Sequence, residues 1–482
     1  VLFSTESIFY NADYQIQKGL IFMETIAKQI AKTAVELKYE DLPDYAVEHA
    51  KMLTLDVLAS MVGTRNIITS QIAREIAEEM GGPEEGTIVG SSKKVALPNA
   101  AFANAIQCYG YDFVDDHNES NAHPSPATYP VSFALAEAKK STGKEFLEAA
   151  AIGNEVVCRM GTAYLGDMYY QGFHPTSTCG TMGAAVSAAK LMKLDEQQTL
   201  YAQGIAGSMV AGLMAWNSEG CFTKRLQAGH PAMNSIIAAR MAEKGFNGPS
   251  DIFEGKDGLL HAYSYLDHYD GKYLTDGLGK DWIFASSSIK VYPCCRYSGG
   301  HLDACLDIVA KYHPDPEQIA KINIRSSKYT MRLLAEERKW HPKNIVDLQF
   351  SMPFQAAIAF RNGQVTVDEF DVKYIDDPLI QRLIANTTVV EDPEFEKRYP
   401  EHYSSAVKIT MKDGTIYESV IDDPKGDWRN PVTYEDVENK FRSLANRIYA
   451  DKDRTEKIIA FVKDLENQTD MSQLMALVND AE

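Results

Sequence analysis

The stretch Tyr111–Pro130, YDFVDDHNESNAHPSPATYP, gathers Asp112, Asp115, Asp116, His117, Glu119 and His123 into twelve residues. A carboxylate held against an imidazole can orient the ring and set its pKa for proton transfer. Asp112 directly follows an apolar segment, so it is expected to be less solvated than Asp115 or Asp116. Pro124, Pro126 and Pro130 follow, which predicts that no helix runs through this stretch. The plainer reading is a solvated turn whose Asp and Asn side chains bond locally to backbone.

Three further constellations could do chemistry. In Gly172-Phe173-His174-Pro175, His174 stands just before a predicted helix N-terminus, where free N–H groups favour an anion such as a carboxylate. Otherwise it is a capping or packing residue. Thr223-Lys224-Arg225, with His230 nearby, offers two adjacent cations, and Arg can hold a carboxylate in bidentate fashion. Most such pairs are solvated surface charge. Lys290-Val291-Tyr292-Pro293-Cys294-Cys295-Arg296, followed by His301, falls at a predicted domain junction, where clefts form. Adjacent cysteines are too close for a CxxC-type metal or redox pair. The sequence has no HExxH, P-loop or GxGxxG motif, so neither a metal nor a nucleotide cofactor is expected.

The 482 residues suffice for two or three domains. A hydrophobic share of 45% with 24% charged residues is that of a globular protein. The net charge of −19 argues against nucleic acid and against an anionic membrane surface. Any anion site must therefore be a local concentration of Lys, Arg or His. Seven cysteines without scaffold spacing suit a reducing, cytoplasmic setting, and no run is apolar enough to span a bilayer. Residues 1–22 have no secretory-signal character. The regular helical pattern starts at Met23, which reads as the natural start, with the preceding segment an appended or accessory arm.

Amphipathic or small-residue helices are expected over 24–40, 43–63, 70–80, 97–111, 130–140, 144–165, 176–193, 195–214 and 230–245. Thr87-Ile88-Val89 reads as a short strand or a turn. From about 285 the pattern changes. Residues 319–326 alternate like a strand, with Ile322 and Ile324 on one face, and 405–421 reads as a hairpin turning at Asp413-Gly414. Helical periodicity returns after Pro431. The expected fold is mainly α. A large all-helical domain (23–286) carries an inserted α+β lid of roughly 140 residues, a common domain size, over 287–423, and resumes over 424–482.

The four segments, in this order, resemble the MmgE/PrpD family, which includes 2-methylcitrate dehydratase, cis-aconitate decarboxylase and iminodisuccinate epimerase. The resemblance covers most of the chain from Met23. It rests on the D-F-x-D-D loop ending in His123-Pro124, on FHPTSTCGTMGAA, on TKRLQAGHPA and on KVYPCCR. It implies a pocket between helical domain and lid, a homodimer, and no metal or organic cofactor. Asp112, His123, His174, Lys224 and Lys290 match family positions, and Tyr329 matches a lid tyrosine. Three features depart from the pattern. The loop has one extra residue, with His117 in place of a hydroxyl residue. Cys295 stands where the decarboxylases have a catalytic His. The Ser298–His301 spacing is long.

The expected chemistry is proton transfer next to a carboxylate of a di- or tricarboxylic acid. His174, Lys224 and Lys290 would hold carboxylates and stabilise an enolate-like intermediate. Asp112, His117 and His123 would supply the base. Arg225, Cys295, Arg296, His301 and Tyr329 would bind substrate. Cys295 in place of His favours dehydration. Decarboxylation, or epimerisation of an amino- or imino-dicarboxylate, would use the same pocket, and a non-catalytic binding protein is the remaining class.

Overall fold

The computed structural model describes residues 24–479, of which about 59% are helical and 8% strand, so the fold is mainly α as expected. The helical body begins with α1 (Ile26–Glu36), α2 (Asp44–Thr64) and α3 (Ile68–Met80). A two-residue ribbon, β1 (Gly86–Thr87) and β2 (Lys94–Val95), precedes α4 (Leu97–Cys108) and α5 (Ser125–Lys139). Then come α6 (Gly143–Ala163), α7 (Pro175–Leu191), α8 (Glu196–Gly207) and α9 (Thr223–Glu243).

At the centre lies α7, with every residue from Pro175 to Ala189 buried. Its sequence explains how it can be covered on all sides. Cys179, Gly180, Gly183, Ala184, Ala185, Ser187, Ala188 and Ala189 leave no bulk, so α5, α6, α8 and α9 pack directly on its backbone. A Cβ on Gly183 would lie 2.4 Å from the carbonyl oxygen of Gly153, and one on Gly153 would overlap Ser187 Oγ at 1.8 Å.

Three helices differ from expectation, and in two of them a proline lies within the observed helix. Helix α5 begins at Ser125 rather than near 130 and contains all of Pro126, Tyr129 and Pro130. Pro126 falls in the first turn, where no N–H partner is needed. The other is α9, which starts at Thr223 and passes through Pro231, so Lys224 and Arg225 sit in its first turn and not in a loop before it. A single proline bends a buried helix without ending it when packing holds both halves. The helix expected over 195–214 stops at Gly207, and the irregular segment after it reaches back to α7, where His174 N donates to Gly212 O at 3.2 Å.

Beyond residue 290 the chain builds α10 (Gly299–Tyr312), β3 (Ile319–Ser326), α11 (Met352–Asn362), α12 (Pro378–Ala385), β4 (Thr387–Glu391), β5 (Ser405–Met411) and β6 (Ile416–Ile421). The four strands order as β4-β3-β5-β6, with β3 parallel to β4 and the other pairs antiparallel. Ile322 pairs with Ile409 and Ile324 with Val407, and all four are fully buried. The turn is at Asp413-Gly414, with Gly414 at φ 90° and Thr415 N bonded to Asp413 Oδ1 at 2.9 Å. The apolar residues expected on the return strand, Ile416 and Val420, lie on its exposed face.

The chain then returns through α13 (Tyr434–Ala445), α14 (Lys452–Lys463) and α15 (Ser472–Val478). One apolar core holds residues from α1, α2 and α4–α9 together with α13–α15, a second holds residues from Cys294 to Met411, and Ala73 and Ala77 of α3 pack with part of α4 in a small third one. Trp216, which precedes α9, belongs to the second core. All seven cysteines are free thiols. Among the described residues, no helix is long and apolar enough to cross a membrane. The segment read as an arm, residues 1–22, lies outside the described residues.

The contact of α6 with α7 gives a stability prediction. Gly183→Val forces a branched side chain against the Gly153 carbonyl and is expected to destabilise by about 1–3 kcal/mol, as overpacking does. The urea midpoint should fall accordingly; an unchanged midpoint would mean the two backbones are not this close.

Candidate active site

Asp112 is the point where the distant segments meet. It follows α4 in the left-handed conformation, φ 55°, which is uncommon for a non-glycine residue and marks a constrained position. Its Oδ1 lies 2.6 Å from Lys224 Nζ, on the first turn of α9, and 2.9 Å from Lys290 Nζ, on the segment leading to the lid. All three side chains are buried. Burial would raise the Asp112 carboxyl, but the two ammonium groups outweigh it and hold it well below the usual carboxylate range. Burial lowers the Lys224 ammonium to about 8, against the pull of Asp112 and helped by the repulsion of Lys290. Lys290 also donates to the Asp112 and Cys294 carbonyls, at 2.9 and 3.1 Å, so its three donors are all used. Lys224 instead faces an aromatic cage of Tyr109, Trp216 and Phe350, with ring centres at 4.5, 5.2 and 5.1 Å. Asp112 Oδ2 is buried without a hydrogen-bond partner.

These groups wall a cavity shared by Asp112, Asp116, His123, His174, Lys224 and Arg296. The tautomers of both histidines follow from their partners. His123 Nδ1 lies 2.7 Å from the Asp115 carbonyl oxygen, which can only accept, so Nδ1 carries the proton and Nε2 keeps its lone pair. His174 Nδ1 donates to Gln227 Oε1, because the Gln227 amide nitrogen is committed to Leu213 O at 2.7 Å. Burial, reinforced by Lys290 and Lys224, pushes His123 well below 6.5; burial and Lys224 push His174 to about 3. Both rings are therefore neutral at pH 7, with Nε2 as acceptor. His174 was expected to hold a substrate carboxylate, but a neutral ring with its lone pair on Nε2 cannot donate to one. Burial acts on the acids in the opposite sense. It raises Asp116, 3.4 Å from His123 Nδ1, to about 6, and Asp115 to about 8. Asp115 accepts from Ser125 Oγ at 2.8 Å and Ser125 N at 3.3 Å, and so caps α5.

Arg296 and Cys295 also line the cavity. Arg296 is held by Asp427 at 2.6 Å and Ser288 at 3.2 Å. The Cys295 thiol is pushed by burial up to about 12, so it is neutral and a weak proton donor.

Four expected site residues point elsewhere. His117 pairs with Ala122 in an extended bridge, and successive side chains there face opposite ways, so Asp116 turns in and His117 turns out. Its Nδ1 accepts from Ser120 N at 3.2 Å and its Nε2 meets Ser286 Oγ at 3.2 Å. Arg225 is one helical step from Lys224 and bonds to Gln349 Oε1 at 2.8 Å and Gly110 O at 3.3 Å. It is a tie between α9 and the segment around Gln349 rather than a substrate ligand. His301 is enclosed within the second core and bonds Gln355 at 3.0 Å. Tyr329 faces an adjoining outer chamber, stacked on Tyr399 at 5.2 Å. Lys290 reaches the site only through Asp112.

The sequence reading passed over Asp116, Trp216 and Phe350. Asp116 was visible in the acidic loop. The aromatic residues carried no local signal, because only the fold brings them over Lys224. Among the described residues, no group of three or more His, Cys, Asp or Glu side chains is placed to hold a metal ion.

In this mainly helical protein, buried lysines, neutral imidazoles and raised carboxyls converge on one cavity, an arrangement able to bind an anion and exchange a proton with it. The chain belongs to the MmgE/PrpD family: the family's N-terminal domain matches residues 28–271 and its C-terminal domain residues 292–466. It is 28% identical to a cis-aconitate decarboxylase-like protein of Aspergillus oryzae, over 94% of this chain and 97% of that protein. It is also 28% identical to the cis-aconitate decarboxylase of Homo sapiens, over 95% of each. A mitochondrial 2-methylcitrate dehydratase of Yarrowia lipolytica matches only 22% of this chain, at 29% identity. The chain is thus a lyase-type enzyme of this family.

Lys224 makes the charge arrangement testable. Its proton is held less tightly in the folded protein, at about 8, than in the unfolded chain, near 10.5. The unfolded state therefore binds more protons between these values, and stability should rise with pH across that window by up to about 1.4 kcal/mol per unit. In Lys224→Met that component should vanish from the urea-unfolding profile; parallel profiles for the two proteins would show that Lys224 keeps an ordinary pKa.

Proposed function

We propose that the chain decarboxylates an unsaturated di- or tricarboxylic acid of the aconitate class. The observation that carries this reading is the pair of buried ammonium groups sharing one carboxylate beside an imidazole with a free Nε2. Similarity to cis-aconitate decarboxylases over nearly the whole chain supports it.

Lys224 and Arg296 are placed to meet substrate carboxylates. As the carbon–carbon bond to the departing carboxylate breaks, its electron pair passes into the remaining unsaturated carboxylate, and Lys224 stabilises that charge. The aromatic side of the cavity, Trp216 and Phe350, favours loss of charge as neutral CO₂. His123, once protonated at Nε2 from solvent in the substrate complex, delivers that proton to the carbon that receives the electron pair and returns to the neutral ring. Its Nδ1–H bond to the Asp115 carbonyl fixes the ring and stabilises the imidazolium whenever Nε2 is protonated. An anionic substrate entering this enclosed space raises the proton affinity of Nε2.

A second reading is dehydration, the outcome expected from the sequence. Cys295, in place of the decarboxylases' His, favours it, and Asp116 at about 6 would protonate a departing hydroxyl. Incubation in D₂O with cis-aconitate, citrate, methylcitrate and aspartate-derived acids, read by NMR, separates the outcomes. Decarboxylation releases CO₂ and leaves a deuterated unsaturated dicarboxylate. Dehydration forms an alkene from citrate or methylcitrate with no CO₂. Epimerisation gives deuterium wash-in at the α-carbon without an alkene. No turnover of any member of the panel would reject the reading.

His123→Ala is expected to reduce kcat by about 10²–10⁴-fold, the usual range for a general acid–base group, while thermal unfolding stays cooperative. A near wild-type rate would remove His123 from the mechanism. The wild-type rate should fall above about pH 8 as Lys224 loses its proton.

A further inference from the structure

The cavity around Asp112 is small. Its volume, about 30 Å³, is a small fraction of that of the space beside it. It continues past Tyr169, Met214 and Leu333, which line both spaces, into an outer chamber of about 270 Å³. The wall of that chamber includes Lys339, Asn217, Ser218 and Tyr329.

Lys339 is unusual there. It is only 3% exposed, yet among the described residues no carboxylate lies within 4 Å of its ammonium group. Its partners are neutral oxygens of one residue, Asn217 Oδ1 at 3.0 Å and Asn217 O at 3.5 Å. The nearby carboxylate, Asp347, is taken by Arg338 at 2.8 Å and by Lys343 N at 3.1 Å. Lys339 Nζ stands 5.5 Å from the centre of the Phe350 ring, and Lys224 Nζ stands 5.1 Å from the same centre. The backbone is fixed as well, since the Lys339 carbonyl accepts from Ser351 Oγ, the cap of α11. Burying an unpaired ammonium is costly unless an anion meets it.

From this placement we infer that Lys339 forms a second anion subsite, which takes the distal carboxylate of a substrate whose reacting end lies against Lys224. The inference rests on the proposed function and adds to it. The two buried ammonium groups, both beside the Phe350 ring, select acids that carry a carboxylate for each over short diacids. Asn217 orients the amine and leaves one of its three N–H donors for the ligand.

Calorimetric titration with two unreactive saturated acids, tricarballylate and succinate, tests the subsite. Lys339→Gln should weaken tricarballylate about tenfold or more, the scale of one charged hydrogen bond, and change succinate less than about twofold. Asn217→Asp, which neutralises the amine with its packing kept, should do the same, and Lys339→Arg should restore most of the affinity. Equal loss for both acids, or no loss for either, overturns the subsite and leaves the active-site reading intact. A wild-type protein that binds neither acid overturns both.

Discussion

One carboxylate shared by two ammonium groups holds this site together. Asp112 comes from the loop after α4, Lys224 from the start of α9 and Lys290 from the irregular segment before α10. None of these segments would stay close without the others, because each brings a buried charge. Two ammonium groups around one carboxylate leave a positive remainder in a place that water reaches poorly. That remainder gives an acidic protein a site for anions. The geometry also implies fragility. Removing one member of a buried ionic cluster typically costs about 3–5 kcal/mol, since the others are left uncompensated.

The cluster needs support from behind, and the returning helices supply it. Lys440, on α13, sends its ammonium group to Asp56 at 2.6 Å, to the Phe113 carbonyl at 2.5 Å and to the Lys290 carbonyl at 2.9 Å. It thus ties together the two backbone segments that carry Asp112 and Lys290. Asp427, on the loop before α13, holds Arg296 at 2.6 Å and Asn118 at 3.0 Å. From the other side, Thr176 on α7 fixes the His123 backbone at 3.0 Å. The small residues of α7 are what let this helix stand so close. Packing of alanine and glycine, which carries no chemistry, therefore sets the position of the imidazole.

Much of this was legible in the sequence, for identifiable reasons. Helices in the body announced themselves by their apolar period, and β3 and the β5–β6 hairpin by strict alternation and the Asp-Gly turn. The residues that meet at the cavity stood in short, dense polar stretches. What failed was inference from neighbours along the chain. Prolines 126 and 130 looked like helix breakers, yet one sits in the first turn of α5 and the other inside it, and α9 starts well before the position expected next to Pro231. His117 and Asp116, or Lys224 and Arg225, are adjacent in sequence, but a strand or helix turns one toward the cavity and the other away. The aromatic cage around Lys224 draws on three distant segments, so only the tertiary fold could show it.

The protonation pattern follows from a single cause acting on two kinds of group. Burial disfavours charge, so it raises acids and lowers bases. Asp115 and Asp116 rise to about 8 and 6, while His174 falls to about 3 and His123 well below its ordinary value. Asp112 escapes because two lysines are in contact with it. At pH 7 these groups are thereby sorted into a protonated Asp115, an Asp116 close to its titration range, neutral imidazoles and one fixed ion cluster. A site sorted in this way meets a carboxylate substrate with positive charge and with an imidazole nitrogen whose lone pair is free. The chemistry of the family can then vary with what the remaining wall does to the leaving group, while the cluster at Asp112 stays the same.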